Sequence, residues 1–325
     1  EIIFTRNATE SLNLVAYSLG SLLLKPGDEV IVSIMEHHSN LLPWQHAAKR
    51  AGAQLKFVEC SKDGKITLED VAAVLTEKTR IMAITQMSNV LGCVNDIKGI
   101  AGLCHEKGIV LVADGAQSVP HMPVNVSELD VDFLSFSGHK MLAPMGIGAL
   151  YGKMEWLEKM PPFLTGGEMI EYVTRTGATY AEVPHKFEAG TVNAAGAYAL
   201  GEAIRYIEGI GFDEITKRED ELTALAMEEM KKNPYVHIIG SDRPEDHHGI
   251  LAFTVQDVHP HDVAAILDSD KIAVRAGHHC AQPLLAYLKT PSTTRASLAF
   301  YNTEEEVLRF TQSLKTLRRR MGYGE

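Results

Sequence analysis

The sequence predicts an α/β protein. A large domain over residues 1–209 carries a mostly parallel sheet in three layers (α/β/α), and a smaller α+β domain follows over residues 210–325. Three observations lead there. Short β-branched runs alternate with helical patterns through the first two thirds of the chain, which is the signature of βαβ units and a parallel sheet. The runs are apolar almost without interruption, as strands covered on both faces must be. Polar residues that can do chemistry fall just past the ends of those runs, where open α/β sheets bind their ligands.

In chain order, residues 1–5 resemble a strand leading into a loop, and a helical run starts at Thr9 and Glu10. Strands are expected at 28–33, 54–58, 80–85, 109–113 and 131–135, with amphipathic helices at 68–75 and 97–107 between them. A long helical stretch over 194–232 is broken near Gly209 to Gly211 and leads into the second domain. There, strands near 237, 249–255, 272–275 and 295–300 alternate with helices at 261–267 and 303–321. No internal repeat or low-complexity tract is visible.

At 325 residues the chain is long enough for one large and one small domain, each with its own core. A formal charge of -11 argues against nucleic-acid binding, which needs a clustered basic surface. The basic run at 315–320 reads as a solvated helix face that complements the helix dipole. No apolar stretch is long enough to span a bilayer and no cleavable signal pattern opens the chain, so a soluble, cytoplasmic protein is expected. Cys60, Cys93, Cys104 and Cys280 are widely spaced and form no CxxC pair, the usage of reduced thiols rather than of a disulfide framework or a zinc ribbon. The first residue is Glu1 rather than Met, so the sequence reads as a piece of a longer protein.

The chemistry concentrates in three segments. The apolar run Val110-Leu111-Val112-Ala113 ends in Asp114, followed by Gly115-Ala116-Gln117, and a second run ends in Ser137-Gly138-His139-Lys140. An unpaired carboxylate at the end of an apolar strand is costly to desolvate, and a protonated pyridine ring removes that cost. A cofactor that stores electrons in such a ring also needs a lysine to hold its aldehyde, so Asp114 and Lys140 together point to pyridoxal phosphate (PLP). The Ser137 hydroxyl and the His139 imidazole beside Lys140 are suitable phosphate donors. The third segment, Arg275-Ala276-Gly277-His278-His279-Cys280-Ala281, sets a thiol in a polar, cation-rich loop that favours a nucleophilic sulfur. PLP with a reactive thiol points to sulfur chemistry.

Further segments extend the pattern: Thr5-Arg6-Asn7-Ala8-Thr9-Glu10, Met35-Glu36-His37-His38-Ser39-Asn40, Ser88-Asn89-Val90-Leu91-Gly92, Phe187-Glu188-Ala189-Gly190-Thr191 and Arg295-Ala296-Ser297-Leu298. With the Asp114, Lys140 and Cys280 segments, their order and spacing resemble the class V aminotransferase family, a group of PLP enzymes with the aspartate aminotransferase-like fold. Within it the resemblance is to the group II (SufS-like) cysteine desulfurases and the related selenocysteine lyases. Group I enzymes carry their nucleophile on a longer loop than the compact segment here. Ala8, Ala143 and Met145 depart from residues usual in the family.

The resemblance implies specific roles. Thr9 would belong to a phosphate cup at a helix N-terminus, Gln117 would bond the phenolic oxygen of the ring, and His37 would stack on the pyridine and move protons, with His38 behind it. Asn89 would contact a cofactor oxygen or the substrate carboxylate, which Arg295 would hold by a bidentate fork. Arg275 would add positive potential. Thr191 would reach the phosphate of a partner subunit's cofactor, making the enzyme a homodimer. Cys280 would take sulfur from L-cysteine as a persulfide, release L-alanine, and pass the sulfur to a small acceptor of the SufE/SufU type for iron–sulfur cluster assembly or another transfer pathway. L-selenocysteine is the alternative substrate, and a catalytically silent assembly partner the alternative in kind. No metal is expected. His247, His248, His259, His261, His278 and His279 lack any spacing that would chelate one ion.

Overall fold

The computed structural model describes residues 1–323, which divide into two compact units. Unit 1 comprises Glu1–Val58, Thr67–Met87 and Asn95–Gly209; unit 2 comprises Glu59–Ile66, Ser88–Val94 and Ile210–Glu325. A single division after residue 209 is therefore incomplete. Two short stretches join unit 2 because their polar groups pair there: the Tyr287 hydroxyl donates to the Cys60 carbonyl at 2.7 Å, and the Arg295 guanidinium donates to the Asn89 carbonyl at 2.8 Å.

Unit 1 runs β1 (Ile2–Thr5), α1 (Ala8–Leu23), β2 (Glu29–Ser33), α2 (His38–Ala51), β3 (Gln54–Val58), α3 (Leu68–Val74), β4 (Thr79–Thr85), α4 (Ile97–Glu106), β5 (Val110–Asp114), α5 (Ser118–His121), α6 (Val126–Leu129), β6 (Phe133–Ser137), β7 (Gly148–Gly152), α7 (Met154–Lys159), β8 (Ile170–Val173), β9 (Ala178–Tyr180) and α8 (Ala194–Ile210). Seven strands form one sheet in the order β1-β7-β6-β5-β4-β2-β3, while β8 and β9 form a separate hairpin. The pairs from β3 to β6 are parallel; β7 is antiparallel to both β6 and β1. Alternate strand residues serve the two faces. Val30, Val32, Ile81, Ala83, Val110 and Val112 share a core with Leu12, Val15 and Leu19 of α1 and Leu41 and Trp44 of α2. Their neighbours Ile31, Met82 and Leu111 are equally buried on the opposite face, where the Cys104 thiol of α4 lies 3.7 Å from the Met82 sulfur. Both faces are covered, which is why these strands read as continuous apolar runs.

Local chemistry sets the ends. Asn7 caps α1, its side chain accepting from the Glu10 N–H at 3.0 Å, so the cap lies two residues before Thr9. Helix α2 stops at Gly52, whose φ of 70° is the left-handed conformation that a helix end favours. A reciprocal capping box of Thr67 and Asp70 opens α3.

Unit 2 holds α9 (Phe212–Lys231), β10 (Val236–Ile238), β11 (Ile250–Val255), α10 (Pro260–Ser269), β12 (Arg275–Gly277), α11 (Gln282–Tyr287), β13 (Thr293–Ser297) and α12 (Glu304–Arg320). Its antiparallel sheet has the order β10-β11-β13-β12 and shares a core with α9, α10 and α12. Two strands are displaced from where hydropathy puts them. Thr293 and Thr294 are fully buried strand residues whose polarity hides them, and Ile272 and Val274 pack against the core just before their ladder begins. The basic run on α12 is tied down by acids rather than merely solvated: Lys315 to Glu229 at 3.1 Å, Arg318 to Asp257 at 2.9 Å and Arg320 to Asp270 at 2.5 Å.

Candidate functional site

In unit 1 the carboxyl ends of β2, β5 and β6 carry His37, Asp114, Gln117, Ser137, His139 and Lys140. Asp114 closes β5 at 3% exposure, and its Oδ1 accepts from the Ala116 N–H at 2.9 Å. It does not cap the next helix, whose N-cap is Gln117. Burial raises the proton affinity of Asp114, against the Ala116 N–H and the positive charge of Lys140, which both lower it. Ser137 closes β6 and its hydroxyl accepts the Ala8 N–H at 2.8 Å, tying the strand end to the start of α1. Gly138 to Lys140 form a single 3-10 turn that leaves His139 and Lys140 exposed. The imidazole of His139 is harder to protonate than usual because of partial burial and then the charge of Lys140.

The starts of α1 and α2 meet through side chains. The hydroxyls of Thr9 and Ser39 are 3.0 Å apart, and the Ser39 hydroxyl is 2.6 Å from His37 Nδ1. That nitrogen also accepts the Ser39 N–H at 3.1 Å, so the ring proton sits on Nε2. His38 lies beside it, ring centroids 6.3 Å apart. The half-buried Gln117 amide makes no hydrogen bond among the described residues. Thr191 is exposed and lines a cleft of about 500 Å³ with Thr5, Arg6, Glu188 and Asn193.

Sequence reading gave Glu36 no role. It is 1% exposed and accepts from the Ser33 hydroxyl, the Asn40 amide at 2.6 Å and the Thr85 N–H at 2.9 Å, bracing the ends of β2 and β4 just before His37. Burial pushes its pKa up to about 8 against those three donors, and the nearby charge of Asp114 adds to the rise. An acid next to the buried Met35 was the only signal in the sequence.

These residues fit PLP. A carboxyl raised by burial is relieved by a ring N–H, an exposed amine lies close enough for its charge to oppose that rise, and two helix N-termini with hydroxyls between them suit a phosphate.

In unit 2, the Cys280 loop joins β12 to α11. Arg275 and Arg295 stand directly opposite each other in the β12–β13 ladder, and neither has a carboxylate partner among the described residues. Like charges so placed repel. Arg275 Nη2 lies 3.3 Å from Cys280 Sγ. Arg295 donates from Nη1 to the Asn89 carbonyl while its buried Nε has no partner, and burial followed by Arg275 brings its pKa down to about 10. The Asn89 amide donates to the His279 carbonyl at 2.7 Å, so this side chain serves the cysteine loop. His279 and Cys280 both have left-handed backbones, φ 51° and 57°, a conformation that costs a residue with a side chain about 1–2 kcal/mol. The sequence places His279 in the cysteine loop but marks no role for it, and Thr293, whose hydroxyl lies 2.7 Å from the His279 ring, does not stand out there.

The other three thiols are buried. Burial pushes Cys60 up to about 11 and both Cys93 and Cys104 up to about 12, which keeps them protonated. Among the described residues no group of three or more His, Cys, Asp or Glu is placed to hold a metal ion, and no helix is long and apolar enough to cross a membrane.

A mostly parallel α/β sheet with a buried acid and an exposed amine at its strand ends is the architecture of the PLP-transferase fold, and comparison with known proteins makes the class specific. The profile of the class-V aminotransferases matches residues 1–310, and the chain belongs to that family. It is 49% identical over 323 residues to a probable cysteine desulfurase of Halalkalibacterium halodurans, covering 99% of this chain and 79% of that protein. Among solved structures it is similar to the cysteine desulfurase CsdA of Escherichia coli (TM-score 0.93, 39% identity, 98% of this chain and 79% of that one). It is also similar to the apo cysteine desulfurase of Thermococcus onnurineus (TM-score 0.94, 41% identity, 98% and 80%).

Proposed function

We propose that this chain is a PLP-dependent desulfurase of L-cysteine that leaves the sulfur as a persulfide on Cys280 and releases L-alanine. The observation that carries the reading is the Cys280 loop: the one accessible thiol of four, in contact with an arginine that has no carboxylate partner among the described residues. Lys140 would hold the cofactor's aldehyde carbon, Asp114 its ring nitrogen, and Thr9, Ser137 and His139 its phosphate. Gln117 would bond its phenolic oxygen. When bound, PLP supplies an electron sink at the α-carbon of the substrate.

The remaining work falls to side chains. Arg295, with its Nε unsatisfied, offers donors for the substrate carboxylate, and Asn89 steadies it through its carbonyl. His37, with its proton on Nε2, would move protons by giving one up from Nε2 as it gains one at Nδ1, the nitrogen that faces Ser39. The Cys280 sulfur attacks the sulfur of the substrate; an S–S bond forms, the Cβ–S bond breaks, and its electron pair stays on Cβ, which gains a proton to become the methyl of alanine. Arg275, whose Nη2 lies 3.3 Å from the Cys280 sulfur, would orient that sulfur for the attack.

A homodimer agrees with the exposed apolar side chains Tyr172, Val173, Val192, Tyr198 and Tyr206 of unit 1. A cytoplasmic, reducing setting suits the thiol, and a small acceptor of the SufE/SufU type would clear the persulfide. The test is alanine release and persulfide mapping on PLP-loaded protein, with borohydride fixing the cofactor to its lysine. Alanine and persulfide are expected from the parent, neither at a significant rate from Cys280→Ala, and the cofactor on Lys140. Desulfuration by Cys280→Ala at the parent rate, or a cofactor fixed elsewhere, would refute the assignment.

A further inference from the structure

The Cys280 thiol sits on a backbone that does not hold its own shape. Two successive left-handed residues with side chains, His279 and Cys280, relax unless something outside the loop fixes them. The candidates are few. The carbonyl of His279 is held by the Asn89 amide, and the ring of His279, 1% exposed, places Nε2 2.7 Å from the Thr293 hydroxyl, itself fully buried in β13.

We infer that His279 is a positioning residue for sulfur transfer, a strut that sets the Cys280 thiol against Arg275 by referring both to strand β13. The register makes this geometric. Thr293 and Arg295 lie two residues apart on β13; Arg295 faces Arg275 across the ladder, and Thr293 faces Gly277 while holding the His279 ring. One strand therefore fixes the thiol, through His279, and the arginine that touches it.

The ring's other nitrogen supports this assignment. Among the described residues the buried His279 Nδ1 has no partner, so the imidazole does not complete a polar network, and an apolar side chain would avoid that orphan. What the imidazole adds is the single reach to Thr293. It also stays uncharged beside two guanidiniums: burial, then Arg295, then Arg275 bring its pKa down to about 4.

The inference rests on Cys280 being the sulfur acceptor, and the experiment separates the two. The rate at which iodoacetamide alkylates Cys280, followed by peptide mass spectrometry at neutral pH, reports thiol placement without turnover. His279→Leu is expected to slow it about tenfold or more, whereas His279→Gln, whose amide can still reach Thr293, stays within about threefold of the parent. Thr293→Val should match His279→Leu, and the double variant should be no slower than either single one. In the PLP-loaded enzyme kcat should fall with the alkylation rate while KM for cysteine holds. Parent-like alkylation of His279→Leu, or His279→Gln as slow as His279→Leu, overturns the inference. If His279→Leu does not fold, Thr293→Val decides alone, and a parent rate there overturns it. Desulfuration by Cys280→Ala would instead remove the acceptor assignment and leave the alkylation result standing.

Discussion

The residue that records its surroundings most plainly is His279. Its ring is buried neutral with a pKa near 4 instead of the ordinary 6.5, so between those values the unfolded chain binds a proton that the folded one refuses. Stability is then fully present above pH 6.5 and falls as the pH drops through the window, by about 3 kcal/mol for a shift of this size. Urea midpoints measured from neutral to mildly acidic pH should show this loss in the parent and a flatter profile in His279→Gln; identical profiles would mean the ring is not held neutral. Lys140, Asp114 and Cys280 stand out in the sequence because each is a chemically costly residue at a recognisable place: an acid ending an apolar run, an amine past a strand, a thiol among cations. His279, Thr293 and Glu36 do not, because what distinguishes them is burial and partners distant in the chain. The His279 ring meets a threonine 14 residues on and its carbonyl an asparagine 190 residues back.

At the scale of elements, strand β7 bears on the site although no side chain of it does. A Cβ at Gly148 would stand 2.6 Å from the Phe136 carbonyl and 2.8 Å from the Cα of Asn7, the cap of α1. Gly148→Ala should therefore push the Asn7 turn away from Ser137, cost about 1–3 kcal/mol, and weaken PLP retention. Dialysis of loaded protein followed by absorbance would check it, and retention equal to the parent would show that the turn can move without consequence. The central strands were legible because both faces are apolar. Helix α2 was not expected, since His38, Ser39 and Asn40 at its start read as a polar loop and Pro43 lies inside it. The hairpin of β8 and β9 was missed for the opposite reason: its strands are short and largely exposed, without the alternation that marks a half-buried strand.

At the scale of the molecule, each unit has its own apolar core, one centred on Trp44, Phe133 and the parallel strands, the other on Phe253, Phe310 and the antiparallel sheet. The groups proposed to bind PLP through Lys140, Asp114 and Thr9 all belong to unit 1. Scanning calorimetry of loaded and stripped protein should thus show the cofactor raising the transition of unit 1 more than that of unit 2. Equal shifts of both would mean that the two cores melt as one. Unit 2 is assembled from three separate stretches of chain, and the stretch Ser88–Val94 brings the Asn89 amide and carbonyl that grip His279 and Arg295. The cysteine loop is accordingly not a portable module. Grafted onto another scaffold, or expressed from residue 210 onward, it would keep its thiol and lose the clasp that gives the thiol an address, so any transplant of this chemistry has to carry a seven-residue passenger that the chain supplies more than a hundred residues earlier, between two stretches of unit 1.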